Sequence, residues 1–273
     1  MVLVIIAVAV IAALAAHLIA RQAFDKEIEA AFAGVGAADP VAVDRDSLPP
    51  LVRAFAERNT AGHPDTPLEA RLTQAAEMKL KPDAAWTKVP ARQAIGIGAP
   101  AFVWDASATM APLVGVRVID AYVGGEGRLK VRLFGSLPMA TAVGPEATYG
   151  ELFRYLAEIA WAPHAILGNP ALRWRRIDGK TVEVASDTPD GRTARVRLIF
   201  DTGGDIVAIE ADDRPHEEGG KPVRQPWRGT FGDYRDFDGI RIPTRASVSW
   251  ITDAGPYTYF RGEVIGYSVV GTE

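Results

Sequence analysis

The sequence predicts a mainly β (α+β) protein, a large curved antiparallel sheet or half-barrel around a central helix, preceded by an N-terminal transmembrane helix. Three observations predict it. Residues 1–20 form an unbroken apolar run. Beyond Leu68, apolar residues recur with a period of two between short turn signals. One stretch, "GELFRYLAEIAWAPHAI", breaks that period with helical spacing. A single large sheet with one inserted helix must bury that helix against a face, and curvature around it is the simplest solution.

The run "MVLVIIAVAVIAALAAHLIA" has no formal charge before Arg21, and at about 1.5 Å per residue a helix of this length spans the roughly 30 Å hydrocarbon core. A retained anchor is favoured over a cleaved signal. Ala13-Leu14-Ala15 offers a small-x-small cleavage site, but the apolar run exceeds the usual h-region of about 7–15 residues and has no basic n-region. His17 lies one turn from Arg21, where its ring reaches headgroups and water. Arg21 and Lys26 follow the segment, which by the positive-inside count favours a cytoplasmic body.

Residues 21–68 read as a helical neck and linker. Phe24, Ile28, Ala31 and Phe32 continue the helix out of the membrane, and "AGVGAADP" ends it. In "DSLPPLVRAFAERN", Ser47 can cap, Pro49 and Pro50 suit a first turn, and Leu51, Val52, Phe55 and Ala56 form an apolar stripe. "TAGHPDTP" then separates the neck from a body spanning residues 69–273.

Within the body, strands are expected near residues 71–80, 91–98, 102–107, 114–123, 128–134 and 139–143. The inserted helix covers residues 147–161, and strands follow near 172–177, 181–186, 193–201, 205–212, 230–237, 240–251 and 257–270. "GGEG", "DTPDG", "DTGGD" and "FDGI" supply the tight turns of a long meander. In "RTARVRLIF" Ala194, Val196, Leu198 and Phe200 share one face, so one side meets a core and the other largely water. "EADDRPHEE" reads as a long solvated loop before "GGKP".

A net charge of -4 and a pI of about 5.7 with no basic stripe exclude a nucleic-acid partner. Without cysteine there is no disulfide framework, thiolate metal site or thiol nucleophile. No G-x-S-x-G elbow, H-E-x-x-H or Walker loop occurs, and "GIGAPA" lacks the last glycine of a dinucleotide fingerprint. No catalytic residue, cofactor or metal site is therefore expected.

Several stretches in order, "LPPLVRAF", "WTKVPARQAIGIGAPAFVWDA", "VIDAYVGGEGRLKVRLFG", "GELFRYLAEIAWAPHAIL", "LRW", "PWRGTFGDYRDFDGIRIPTRASVSW" and "YFRGEVIGY", cover most of residues 48–267. In these the chain resembles a family of bacterial membrane-anchored proteins defined as a domain of unknown function. The expected architecture is also similar to the lipoprotein-carrier fold of the bacterial envelope, a curved sheet around a helical plug that shelters acyl chains. That resemblance implies an extracytoplasmic body and a lipid-derived ligand, although this chain has no cysteine to carry a lipid.

The candidate site is the helix stripe Glu151, Arg154, Tyr155 and Glu158, at i, i+3, i+4 and i+7, in which both glutamates can reach Arg154. On a solvated face it is an ion-pair ladder; under the sheet it is desolvated and its carboxyls are perturbed. Phe153 faces the other way. Asp120 and Tyr122 share a face with Val116 and Val118, and Asp120 either pairs with a buried partner such as Arg154 or lies at the sheet's edge. Of Trp86, Trp104, Trp161, Trp174, Trp227 and Trp250 the default role is core packing, while Trp104 and Trp161 on a concave wall would suit an apolar ligand. His164 is placed to interact with the carboxyl end of the helix. The leading expectation is a membrane-anchored envelope protein that binds a hydrophobic, lipid-derived ligand without chemistry. The alternatives are an enzyme using the Glu-Arg-Glu stripe, or a structural partner-binding module of an envelope complex.

Overall fold

A computed structural model describes residues 1–218 and 221–271. Helix α1 (Val2–Ala33), a 3₁₀ turn (Arg45–Ser47) and α2 (Pro50–Asn59) precede strands β1 (Glu69–Met78), β2 (Thr87–Lys88), β3 (Ala91–Gly96), β4 (Phe102–Ala111), β5 (Val114–Val123), β6 (Glu126–Leu133) and β7 (Leu137–Val143). Helix α3 (Pro145–Ala157) runs into a 3₁₀ turn (Glu158–Trp161) and α4 (His164–Gly168). Strands β8 (Arg173–Arg176), β9 (Thr181–Asp187), β10 (Thr193–Phe200), β11 (Ile206–Glu218), β12 (Lys221–Phe237), β13 (Ile240–Thr252) and β14 (Gly255–Val270) complete the described chain.

The strands form one antiparallel sheet in the order β7-β6-β5-β4-β3-β1-β14-β13-β12-β11-β10-β9-β8, with β2 paired to β1 off this path. The meander has one long-range step, where β1 pairs with β14 from Glu69↔Val270 to Met78↔Phe260 and joins the first and last strands at the centre. The edges are thus β7 and β8, and the helical segment between them carries the chain from one edge to the other. Helix α3 touches β5, β6 and β7 on one side and β9, β10 and β11 on the other. The sheet therefore curls around it as a half-barrel.

The concave side is filled. Val52, Phe55 and Ala56 of α2, Leu152, Phe153 and Leu156 of α3, and Ile159 and Trp161 of the turn after it join the inward strand residues in one core. At about 1.5–3 kcal/mol for each large apolar side chain fully buried, this is the main stabilising term. Gly127 of β6 allows the close approach of α3: a Cβ there would lie 2.5 Å from Thr148 Cα, and its N–H donates to Thr148 Oγ1 at 3.0 Å.

A second core lies on the opposite face, where Phe24, Ile28 and Ala31 of α1 pack with Val35 on Ala94, Ala101, Val103, Ile119 and Ala121. Strands β3 to β5 are covered on both faces there, which is why "FVWDA" is buried without alternation. Ion pairs flank this contact: Arg92 with Glu29 at 2.5 Å and Asp105 at 2.8 Å, Arg117 with Asp105 at 3.1 Å and with Asp25, and Lys130 with Glu27 at 2.6 Å. The C-terminal half of α1 and the whole of α2 are thus each part of a packed core.

Two readings are corrected. The polar stretch from Glu210 is strand, not loop: β11 continues to Glu218 and β12 begins at Lys221, with Arg214↔Gln225 and His216↔Val223 paired beyond an irregularity after Ala211. Strand β10 pairs β11 no further than Glu210, so this hairpin projects past its neighbour, with Asp213 and Arg224 in water and Arg214 turned inward. Its "GG" tip lies outside the described residues. Strand β2 has no counterpart in the expected elements, being two residues long with no period to read.

Candidate functional site

Arg154 is the centre of a buried polar network. Its Nη1 donates to Asp120 Oδ2 at 2.5 Å and its Nε to Glu158 Oε1 at 2.8 Å. Gln93 donates to the other Glu158 oxygen at 2.5 Å, Gln74 donates to Gln93 at 3.0 Å, and the Trp104 indole donates to Gln74 at 2.9 Å. The guanidinium lies over the rings of Phe102, at 4.8 Å, and Trp104, at 5.2 Å. Asp120 thus has the partner expected of a carboxylate on an apolar strand face.

Glu151 does not pair with Arg154 as the helical spacing predicted. Its Oε2 lies 4.0 Å from Arg214 Nη2 of β11, because the curled sheet brings a second guanidinium closer. Arg214 itself sits over Trp227, at 4.3 Å, and Trp250, at 5.4 Å, and donates to the Gly150 carbonyl at 3.4 Å. The network therefore holds three carboxyl groups and two guanidiniums. Burial, reinforced by Asp120, holds the Glu151 carboxyl well above the usual range, and the pull of Arg214 and Arg154 does not cancel it. Glu151 Oε2 and Asp120 Oδ1 are buried without a partner as carboxylates. A proton kept on Glu151 and donated to Asp120 satisfies both atoms and balances the charge at two against two. Burial also raises Glu158, against the pull of Arg154 and Gln93.

The other predicted residues lie elsewhere in the core. The Tyr155 hydroxyl donates to the Gly96 carbonyl at 3.2 Å and accepts from Asn169 at 2.8 Å, and burial raises its pKa. Phe153 packs edge-on to Tyr149 at 5.0 Å. The Trp161 indole donates to the Pro243 carbonyl at 2.9 Å. Tyr122 is buried, its pKa raised by burial and by Asp190. His164 does not serve a helix end: it opens α4, and its Nε2 lies 2.8 Å from the His63 carbonyl, which fixes that nitrogen as the donor.

Open space lies on the other face. A cleft of about 1040 Å³ separates α1 from the sheet, lined by His17 and Arg21 of α1, Trp86 and Lys88 between β1 and β3, Arg117 of β5 and Phe134 of the β6–β7 turn. His17 Nδ1 is 2.7 Å from Ser136 Oγ, which pins α1 to that turn. Arg117 is committed to Asp105 and Asp25, whereas Arg21 and Lys88 have no acidic partner among the described residues. A second cleft of about 440 Å³ lies on the same side, at Phe32, Arg71, Arg92 and Tyr267, and includes Gln93 of the Arg154 network.

The model of a family of unknown function, DUF6544, matches residues 41–262. The chain belongs to that family. No curated protein gives a significant sequence match. Among solved structures, this DUF6544 protein is similar to a putative outer membrane lipoprotein-sorting protein domain from Vibrio parahaemolyticus, with 11% identity over 81% of this chain and 93% of that one at a TM-score of 0.44. It is also similar to a LolA superfamily protein from Nitrosomonas europaea, with 13% identity, 85% and 96% coverage and a TM-score of 0.43. A DUF1329 family protein from Desulfovibrio piger matches with 11% identity, 81% and 95% coverage and a TM-score of 0.40.

Sequence reasoning missed Arg214, Gln74 and Gln93 in this DUF6544 chain. The glutamines had a readable signal. Ala70, Leu72, Gln74 and Ala76 alternate as one buried face of β1, and a single amide in an apolar period-two series needs a polar partner inside. Arg214 had none, because the irregularity after Ala211 shifts which residues face inward.

Proposed function

We propose that the protein is a membrane-anchored, non-catalytic binder of a lipid-derived amphiphile with an anionic head, held in the cleft between α1 and the sheet. The observation that carries this reading is the cleft's place and lining. Its first residues, His17 and Arg21, are where the apolar stretch of α1 ends. A helix window of mean hydropathy 3.0 with none of it buried is long and apolar enough to cross a bilayer. The cleft thus lies at headgroup level, with Arg21 and Lys88 for an anion and Trp86 and Val116 for the adjoining chain. The envelope-fold resemblance of the sequence favours an extracytoplasmic body, against the positive-inside count.

The Glu-Arg-Glu stripe is read here as structural. Its hydrogen-bonding groups are engaged with one another, and the concave side where an acyl chain was expected is occupied by α2, α3 and their neighbours.

Native mass spectrometry of the full chain in mild detergent tests the proposal. Gly115 lines the cleft, and a Cβ there meets nothing within 4 Å, so Gly115→Phe fills the space without a backbone clash. The expected result is a bound phospholipid mass on the wild type that is lost in Gly115→Phe. A wild type that stays lipid-free after incubation with phosphatidylglycerol vesicles, or an adduct indifferent to the substitution, refutes it.

A further inference from the structure

The rim of the sheet at the α1 exit carries a second feature, which shares Phe134 with the lining of the cleft. Among the described residues, four non-glycine positions adopt a positive φ: Leu113 at 65°, Phe134 at 54°, Asp233 at 52° and Asp238 at 51°. The aspartates are ordinary choices, since Asn, Asp and Gly tolerate this conformation and hydrate well. Leu113 and Phe134 are not. A leucine or phenylalanine in left-handed backbone strains the turn and gains nothing from water, yet Leu113 is 95% exposed and Phe134 is 43% exposed.

Both residues lie at the same end of the sheet. Leu113 tips the β4–β5 hairpin and Phe134 opens the β6–β7 turn; Val116 of β5 pairs with Leu133 of β6, and the Phe134 amide donates to the Gly115 carbonyl at 2.7 Å. Met110 and Leu137 beside them are 49% and 54% exposed. The strand ends on the opposite side turn instead through Gly124 and Gly125. Local rules are broken at one rim, in the same apolar sense at two neighbouring turns of that rim, which is the pattern of a functional surface rather than of scattered exposure.

The course of α1 says what covers it. The helix is continuous from Val2 to Ala33. Residues 2–16 are exposed, and contact with the sheet begins at His17 on Ser136 and at Arg21, whose Cγ would lie 3.5 Å from a Cβ on Gly135. The apolar stretch ends at Ala20. Sheet packing thus starts before the apolar stretch has ended, with no spacer between them. A helix that carries residues 2–20 in the bilayer holds this rim in the headgroup layer.

We propose that the β4–β5 and β6–β7 tips form a membrane-docking surface, with Leu113 and Phe134 inserted among the lipid chains beside α1. The proposal rests on the anchor reading of α1 but not on the cleft ligand. Large apolar side chains on such a rim gain burial in the headgroup and acyl boundary, and this gain offsets the turn strain.

The chain has no cysteine, so single labels are unambiguous. An environment-sensitive fluorophore on Pro112→Cys, Val8→Cys or Gly179→Cys is read in the full chain in vesicles containing nitroxide-bearing lipid. Gly179 lies in the turn after β8, away from the rim. The expected result is quenching at position 112 at least twice that at 179, falling to the level of 179 when Leu113→Asn and Phe134→Asn are introduced. Asparagine suits both turns, so these substitutions spare the fold. Strong quenching at position 8 with none at 112 overturns the docking surface while leaving the anchor intact. No quenching at position 8 removes the anchor and the proposal with it. A shielded but unquenched label at 112 means that protein covers the rim, and quenching at 112 unchanged by the asparagines means that Leu113 and Phe134 do not insert; both overturn it.

Discussion

Replacing Arg154 with methionine removes the bonds of 2.5 Å to Asp120 and 2.8 Å to Glu158 and leaves both carboxylates beneath the sheet, with side chains 13% and 10% exposed. Methionine can fill the space between Phe102 and Trp104, so packing is largely kept and the loss is electrostatic. Breaking a buried pair by removing one partner costs about 3–5 kcal/mol. At roughly 2–4 °C per kcal/mol for a body of this size, the apparent Tm should fall by about 6–20 °C. The sign of the pH response is specific. Glu158, raised by burial, loses the pull of Arg154 in the variant and titrates still higher in the folded than in the unfolded state, so the variant's stability should recover as pH is lowered from 7.5 to 5. The triple variant Arg154→Met, Asp120→Asn, Glu158→Gln removes both stranded carboxylates and, with Asp120 gone, lets Glu151 ionise against Arg214, so it should regain at least half of the loss. The assay is thermal unfolding of the full chain in detergent, followed by near-UV circular dichroism. A loss under about 1 kcal/mol with no recovery at low pH refutes the account, since the network is then solvated and each pair of the surface kind.

Glu151→Gln keeps a neutral donor where burial already holds the proton. Because the folded pKa is raised, the wild-type acid costs stability increasingly as pH rises above about 4.3, so the variant's advantage in Tm should grow from pH 4 to 8 and vanish at the acid end. His164 is depressed by burial. Its contribution is present above the unfolded value of about 6.5 and is lost as pH falls below it, so His164→Gln should flatten the decline in Tm between pH 7 and 5. Gly127→Ala drives a methyl group into the Thr148 backbone and should destabilise by about 1–3 kcal/mol, read as a lower denaturant midpoint.

Much of the fold was legible because period and turn chemistry are local. The strand series, the inserted helix and the apolar segment all announce themselves within a few residues, and of the two placements open to Asp120, a buried cation or the sheet's edge, the structure has the pairing with Arg154. What was illegible depends on the sheet's long-range closure. The β1–β14 pairing decides the curl, and the curl decides that Arg214 rather than Arg154 meets Glu151. The amphipathic pattern of residues 24–32 announces a helix but not the sheet face that receives it. The β11–β12 hairpin was hidden for another reason: pairing between backbones places no demand on side chains that remain in water, so a charged sequence can still be strand.

The network and the cleft make separable demands on the same half-barrel. Asp120 on β5, Gln93 on β3, the acids and Arg154 on α3 and its following turn, and Arg214 on β11 tie both limbs of the curled sheet to the helix between them. Opening the concave side to admit a ligand would break these contacts together, whereas the cleft beneath α1 is already open and shares none of them. Ligand content and stability should therefore part company. Below its own Tm, Arg154→Met should keep the bound lipid of the wild type, while Gly115→Phe should lose it with the Tm little changed. The reverse pattern, lipid lost with Arg154 and kept when the cleft is filled, would move the ligand to the concave side and make the Arg154 network its gate.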